Sequence, residues 1–129
     1  MMRHDLLSDV LSSIKNGDKV GKNEIIVPSS KMTKDILVIM QKNEYIGNFE
    51  YIDDGKGGKF KISLLGNVNN CGSIRPRYSV SADGYERFKR RYLPASGFGM
   101  LIVTTSKGIM IHRDAEKQNL GGKLLAFVY

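Results

Sequence analysis

Met100-Leu101-Ile102-Val103-Thr104-Thr105-Ser106-Lys107-Gly108-Ile109-Met110-Ile111 is the stretch on which the reading of this chain turns. Two short apolar runs, 100–103 and 109–111, enclose five polar residues. Ile102, Val103, Ile109 and Ile111 are β-branched, so the pattern predicts two strands joined by a tight loop. The loop offers the hydroxyls of Thr104, Thr105 and Ser106, the ammonium of Lys107, and Gly108. Hydroxyls can donate to phosphate or accept from a base or a 2′-OH. Lys107 supplies a compact charge for a phosphate backbone. Gly108 lets the turn take a positive φ and lets another backbone come close. A plain polar hairpin tip explains the same residues, so this stretch alone does not decide function.

Working outward, the charge is uneven. The 129 residues carry a net charge of +7. Residues 1–65 hold ten Lys/Arg and nine Asp/Glu, whereas residues 66–129 hold ten and four. The surplus of cations thus lies in the half with the hairpin, which points to a polyanion partner. With 41% hydrophobic residues the chain can bury a core. No apolar run reaches the roughly 18 residues that span a bilayer. Asp5 and Asp9 break any signal-peptide pattern, and a soluble intracellular protein without a membrane partner is expected. Cys71 is the one cysteine, which excludes an internal disulfide and a Cys-rich zinc site; no metal or cofactor is expected. Cys71 has no adjacent His or acid to activate it. His4 and His112 stand apart from other ligand types.

Before the hairpin, residues 3–16 predict an amphipathic helix with Leu6, Leu7, Val10, Leu11 and Ile14 on one face and Gly17 as its C-terminal stop. Residues 17–22, Gly-Asp-Lys-Val-Gly-Lys, fall one residue short of a Walker A and lack its Ser/Thr, so they read as a loop. A strand follows at 24–27, ended by Pro28. Ser29 and Ser30 cap a second helix over 31–43, whose Met32, Ile36, Leu37, Ile39 and Met40 form an apolar face. Lys31 and Lys34 in its first turns oppose the helix dipole but suit an approaching anion; two solvated lysines are the plainer reading. Phe49, Tyr51 and Ile52, followed by clean alternation at Phe60, Ile62 and Leu64, predict a hairpin around 54–59, with Lys56 and Lys59 on a mobile tip. Gly66 to Gly72 has turn composition and marks the domain boundary.

Ser73-Ile74-Arg75-Pro76-Arg77-Tyr78-Ser79-Val80 then combines Arg75 and Arg77 with Tyr78, a phosphate-and-stacking set or a Pro-led edge strand. Asp83 and Glu86 read as a capping box for a helix over 84–93, apolar at Tyr85, Phe88 and Tyr92 and basic at Arg87, Lys89, Arg90 and Arg91. Pro94 ends it. The fold class is therefore α+β in two small domains. Residues 1–66 are a helix–strand–helix–strand–strand unit; residues 67–129 are a mostly β unit with short helices that carries the binding surface.

From Tyr92-Leu93-Pro94-Ala95-Ser96-Gly97-Phe98-Gly99 through the hairpin to His112-Arg113-Asp114-Ala115-Glu116, and in the ending Gly121-Gly122-Lys123-Leu124-Leu125-Ala126-Phe127-Val128-Tyr129, the chain resembles the small-subunit ribosomal protein eight family in its archaeal or eukaryotic form. The resemblance covers essentially the whole chain. It implies two small α+β domains, no enzymatic activity, a cytoplasmic place in the ribosome, and a monomer when free. It implies a primary binder of the central domain of 16S-type RNA, recognising an irregular helix with an internal loop, beside neighbouring small-subunit proteins. Some members also bind their own messenger RNA as repressors. The family's main RNA contact carries over onto Thr104, Thr105, Ser106, Lys107 and Gly108, and its Gly-Gly pair onto Gly121 and Gly122. Lys123 stands where bacterial members have Glu, which turns an acceptor into a phosphate-seeking cation. Tyr78 is near the place of a bacterial tyrosine. Arg113 is expected to support phosphate contact or to pair internally.

Two other classes are weighed against this. An enzyme on RNA or nucleotides would need paired carboxylates, a Walker A or a metal cluster near the loop, and the sequence shows none. A protein-interaction module could use Leu124–Tyr129 as a docking strand, although a core strand accounts for that segment.

Overall fold

The computed structural model describes residues 6–74, 77–95 and 97–129. The chain forms two compact units, Met1–Asn69 and Asn70–Tyr129. The first runs α1 (Leu6–Lys19), β1 (Glu24–Pro28), α2 (Lys31–Lys42), β2 (Ile46–Ile52), β3 (Lys59–Leu64). Its sheet is antiparallel in the order β1-β3-β2. Leu7, Val10, Leu11 and Ile14 of α1 are buried, with Ile36, Leu37 and Met40 of α2 and Val27, Phe60 and Ile62 of the sheet. The helical 3.6 spacing and the strand alternation thus meet in one apolar layer. Ser30 caps α2, its Oγ accepting from the Thr33 N–H.

The first glycine of 17–22 does not end α1. The helix runs on to Lys19, and a Cβ on Gly17 would come within 2.7 Å of Leu64 Cδ1 and 3.0 Å of Ile25 Cγ2. Gly17 is small so that the sheet can approach the helix. The stop is Gly21, at φ +77. There Lys22 N–H donates to Gly17 O and Gly21 N–H to Asp18 O, the paired bonds of a Schellman cap. Asp18 then accepts the backbone N–H groups of Gly66 and Val68, which ties the segment up to Asn69 to the first unit. The 54–59 turn is organised by Asp54, whose Oδ1 accepts from Lys56 N–H and Gly58 N–H. Those two bonds, with Lys59 nearby, hold its carboxyl below the usual range.

The second unit runs β4 (Cys71–Ser73), β5 (Ser79–Val80), α3 (Tyr85–Tyr92), β6 (Met100–Thr105), β7 (Gly108–Ile111), α4 (His112–Lys117), β8 (Gly122–Val128). Its antiparallel sheet has the order β4-β8-β6-β7, with β5 also on β8. Cys71, expected in a turn, is a buried strand residue paired with Val128. The expected capping box at α3 is absent. The helix starts one residue later, at Tyr85 with Gly84 as N-cap, so Asp83 falls outside cap position. Asp83 accepts from Ser81 Oγ instead, and Glu86 pairs with Lys89 and Arg90. Tyr85 is wholly buried and donates its hydroxyl to Leu120 O. It packs with Phe88, Leu101, Val103, Ala115 and Leu124 into the core over one sheet face.

His112 opens α4 with 4% exposure, and its Nδ1 accepts the Leu101 N–H at 3.1 Å. Burial, then the charges of Lys89 and Arg113, lower its pKa below 6.5, with Glu116 opposing. The unfolded chain therefore binds the proton more readily. The stability contributed by the neutral ring is present in full above pH 6.5 and is lost as pH falls through the lowered folded value. Urea midpoints should drop between pH 7.5 and pH 5.5. His112→Asn, whose amide oxygen can take the Leu101 bond, should flatten that drop; an equal drop in the variant would assign it to other groups.

Candidate nucleic-acid interface

The β6–β7 hairpin pairs Thr105 with Gly108 and leaves Ser106 and Lys107 as a two-residue tip. Gly108 has φ +111, a left-handed conformation that favours glycine, while Ser106 and Lys107 stay out of that region. A Cβ on Gly108 would meet nothing within 4 Å, so the requirement is backbone conformation and not close approach within the chain. Thr105 Oγ1 donates to Gly108 O at 2.9 Å and accepts the Lys107 N–H at 3.1 Å. One of the three loop hydroxyls is therefore used to shape the tip. Ser106, Lys107 and Gly108 are exposed; Thr104 and Thr105 are half-buried.

Strand register brings the Gly-Gly segment to this tip. β8 places Gly122 opposite Thr105 and Lys123 opposite Thr104. Both glycines have reasons inside the protein. A Cβ on Gly122 would run into the carbonyl of Thr104, and one on Gly121 would lie 2.5 Å from Val80 O. The segment is delivered by the end of α4, where Asn119 at φ +58 is followed by the Leu120 N–H bond to Ala115 O. Across the sheet, Ser79, Lys123, Thr104 and Ile109 form one row on one face. Adjacent strands lie about 5 Å apart, so two hydroxyls flank the Lys123 ammonium stem. Ser79 joins this row without a cue in the linear pattern, since only cross-strand register places it there.

The remaining candidates are more scattered. Arg77 is exposed just ahead of β5. The Tyr78 ring lies on Phe88, 5.4 Å between centroids, with the Arg91 guanidinium 5.3 Å from its own centroid. That ring is half-buried and already engaged. Arg113 is exposed in α4, beyond the Ile111 end of the hairpin and away from its tip. Lys31 is exposed in the first turn of α2, in the other unit. Arg75 lies outside the described residues. Among the described residues no group of His, Cys, Asp and Glu could hold a metal ion.

Fold and surface together define an α+β protein that presents a preorganised hydroxyl-and-cation hairpin. The family model for Ribosomal protein S8 matches residues 5–129. The chain is 51% identical to the small ribosomal subunit protein uS8 of Picrophilus torridus, over 99% of this chain and 100% of that one. It is 50% identical, with the same coverage, to the uS8 proteins of Thermoplasma volcanium and Thermoplasma acidophilum. The chain belongs to the ribosomal protein S8 family, whose role is structural and not enzymatic.

Proposed function

We propose that the chain is a constituent of the small ribosomal subunit that binds the central domain of 16S-type RNA at an irregular helix. Contact is made through Thr104, Thr105, Ser106, Lys107 and Gly108, supported by Gly121, Gly122 and Lys123. The observation that carries this reading is the exposed Ser106-Lys107 tip at the end of a strand pair whose Thr104 stands in one cross-strand row with Lys123 and Ser79. Cations at the tip and on the sheet meet phosphates and set affinity and salt dependence. Short hydroxyls on a rigid turn reach 2′-OH groups and splayed bases in a distorted, shallow groove. Arg77 adds a phosphate contact at the β5 edge. Tyr78 contributes at most an exposed ring edge, because its faces are occupied by Phe88 and Arg91. Lys31 and Arg113 serve as outlying phosphate contacts. Neighbouring small-subunit proteins complete the surroundings, and the free chain is a monomer. A like-shaped element in its own messenger would dock on the same tip and allow repression.

A titration against a small-subunit RNA fragment at several salt concentrations tests this. Lys107→Ala should reduce the slope of log K against log salt by about 0.7–1, the loss of one phosphate contact. An unchanged slope would remove Lys107 from the phosphate set.

A further inference from the structure

We propose that the cavity between α3 and α4 binds a single nucleotide, with its phosphate on Arg90 and Arg113 and its base against Leu93, Pro94 and the His112 ring. The cavity holds about 460 Å³, within the range of pockets that enclose a small ligand. Its wall is apolar at Leu93, Pro94 and Ala95 and cationic at Lys89, Arg90 and Arg113, with Glu86 the acid among the lining residues. Lys89 is held by Glu86 at 3.1 Å and by Glu116 at 3.6 Å. Arg90 meets Glu86 more loosely, at 3.7 Å between Nε and Oε1, with its side chain exposed. The fork of Arg90 and the guanidinium of Arg113 are thus left to take an anion, in the geometry that suits phosphate.

His112 supplies the second observation. Nδ1 accepts from Leu101 N–H, so the neutral ring carries its proton on Nε2, on the edge turned away from β6. His112 is among the residues that line the cavity. An imidazole N–H on the cavity wall can donate to an acceptor on a base. Glu86, at the rim, can accept from a base amino group. A lone carboxylate would satisfy the cations but leave the apolar wall and the His112 donor unused. The cavity borders Gly99, just before β6, and the hairpin tip follows the other end of that strand at Thr105. Six strand residues put the two roughly 17 Å apart, so this site stands or falls independently of the tip.

Nuclear magnetic resonance titration of the full chain with adenosine 5′-monophosphate is the test. Saturable shifts of the His112 ring and the Arg113 side chain are expected. Arg113→Gln should weaken binding about tenfold, the loss of one charge-assisted contact, while Lys107→Ala leaves it unchanged. Adenosine and inorganic phosphate should each bind more weakly than the nucleotide. A four-residue oligoadenylate binding more tightly than the nucleotide would place the ligand within RNA; equal affinity would place it as a free nucleotide. Absence of a saturable shift at His112, unchanged affinity in Arg113→Gln, or preferential capture of an Asp/Glu peptide there would overturn the proposal.

Discussion

Gly122→Ala is expected to destabilise the second unit by about 1–3 kcal/mol, the usual cost of forcing an extra methyl into packed structure. The added Cβ would collide with the Thr104 carbonyl, which is backbone in a paired strand and cannot swing aside as a side chain can. The β6–β8 ladder must then open at the end that carries the hairpin tip. RNA affinity should fall with stability, because the tip and Lys123 lose their register. Urea unfolding and RNA titration on the same variant separate two roles for this glycine. Full stability with lost binding would mean that only RNA needs a bare backbone at position 122. Lost stability with lost binding is the outcome that the strand contact requires.

Thr105→Val should weaken RNA binding about tenfold while changing stability by less than about 1 kcal/mol. Valine keeps the shape but removes both hydrogen bonds of Oγ1, to Gly108 O and from Lys107 N–H. Both groups lie at an exposed turn, where water can replace a lost bond, so folding is little affected. What is lost is the fixed turn that aims Ser106 and Lys107, and ordering it again on binding costs affinity. Thr105→Ser should restore most of the binding. Combined with Ser106→Ala, Thr105→Val should weaken specific binding more than non-specific binding, since hydroxyls carry site selectivity and cations do not. Equal loss on matched and unrelated RNA would argue that these hydroxyls only shape the protein.

Much of the architecture was legible because local chemistry and global packing agree. The alternation through Phe60, Ile62 and Leu64 and the apolar stripe of α2 both point to the sheet-and-helix layer that forms. The readings that failed involve residues whose role depends on distant neighbours. Gly17 looked like a stop because glycine usually ends helices, yet it makes room for Leu64 and Ile25, which arrive from other elements. Asp83 and Glu86 have the spacing of a capping box but miss it by one residue, since Gly84 takes the cap and Lys89 draws Glu86 into an ion pair. Cys71 sits in a stretch of turn composition and becomes a strand residue only because Val128 lies beside it.

Period-two and period-3.6 patterning, the charge excess after residue 66 and the Thr-Thr-Ser-Lys-Gly tip were set by the order of residues alone, because each rests on neighbours within a few positions. Which residues share the face proposed to bind RNA was decided only by the folded chain. Ser79, Lys123 and Thr104 are far apart in sequence and become one row through strand register. Register depends on how a whole sheet face is buried, and a slip of one residue would turn every one of them to the other side.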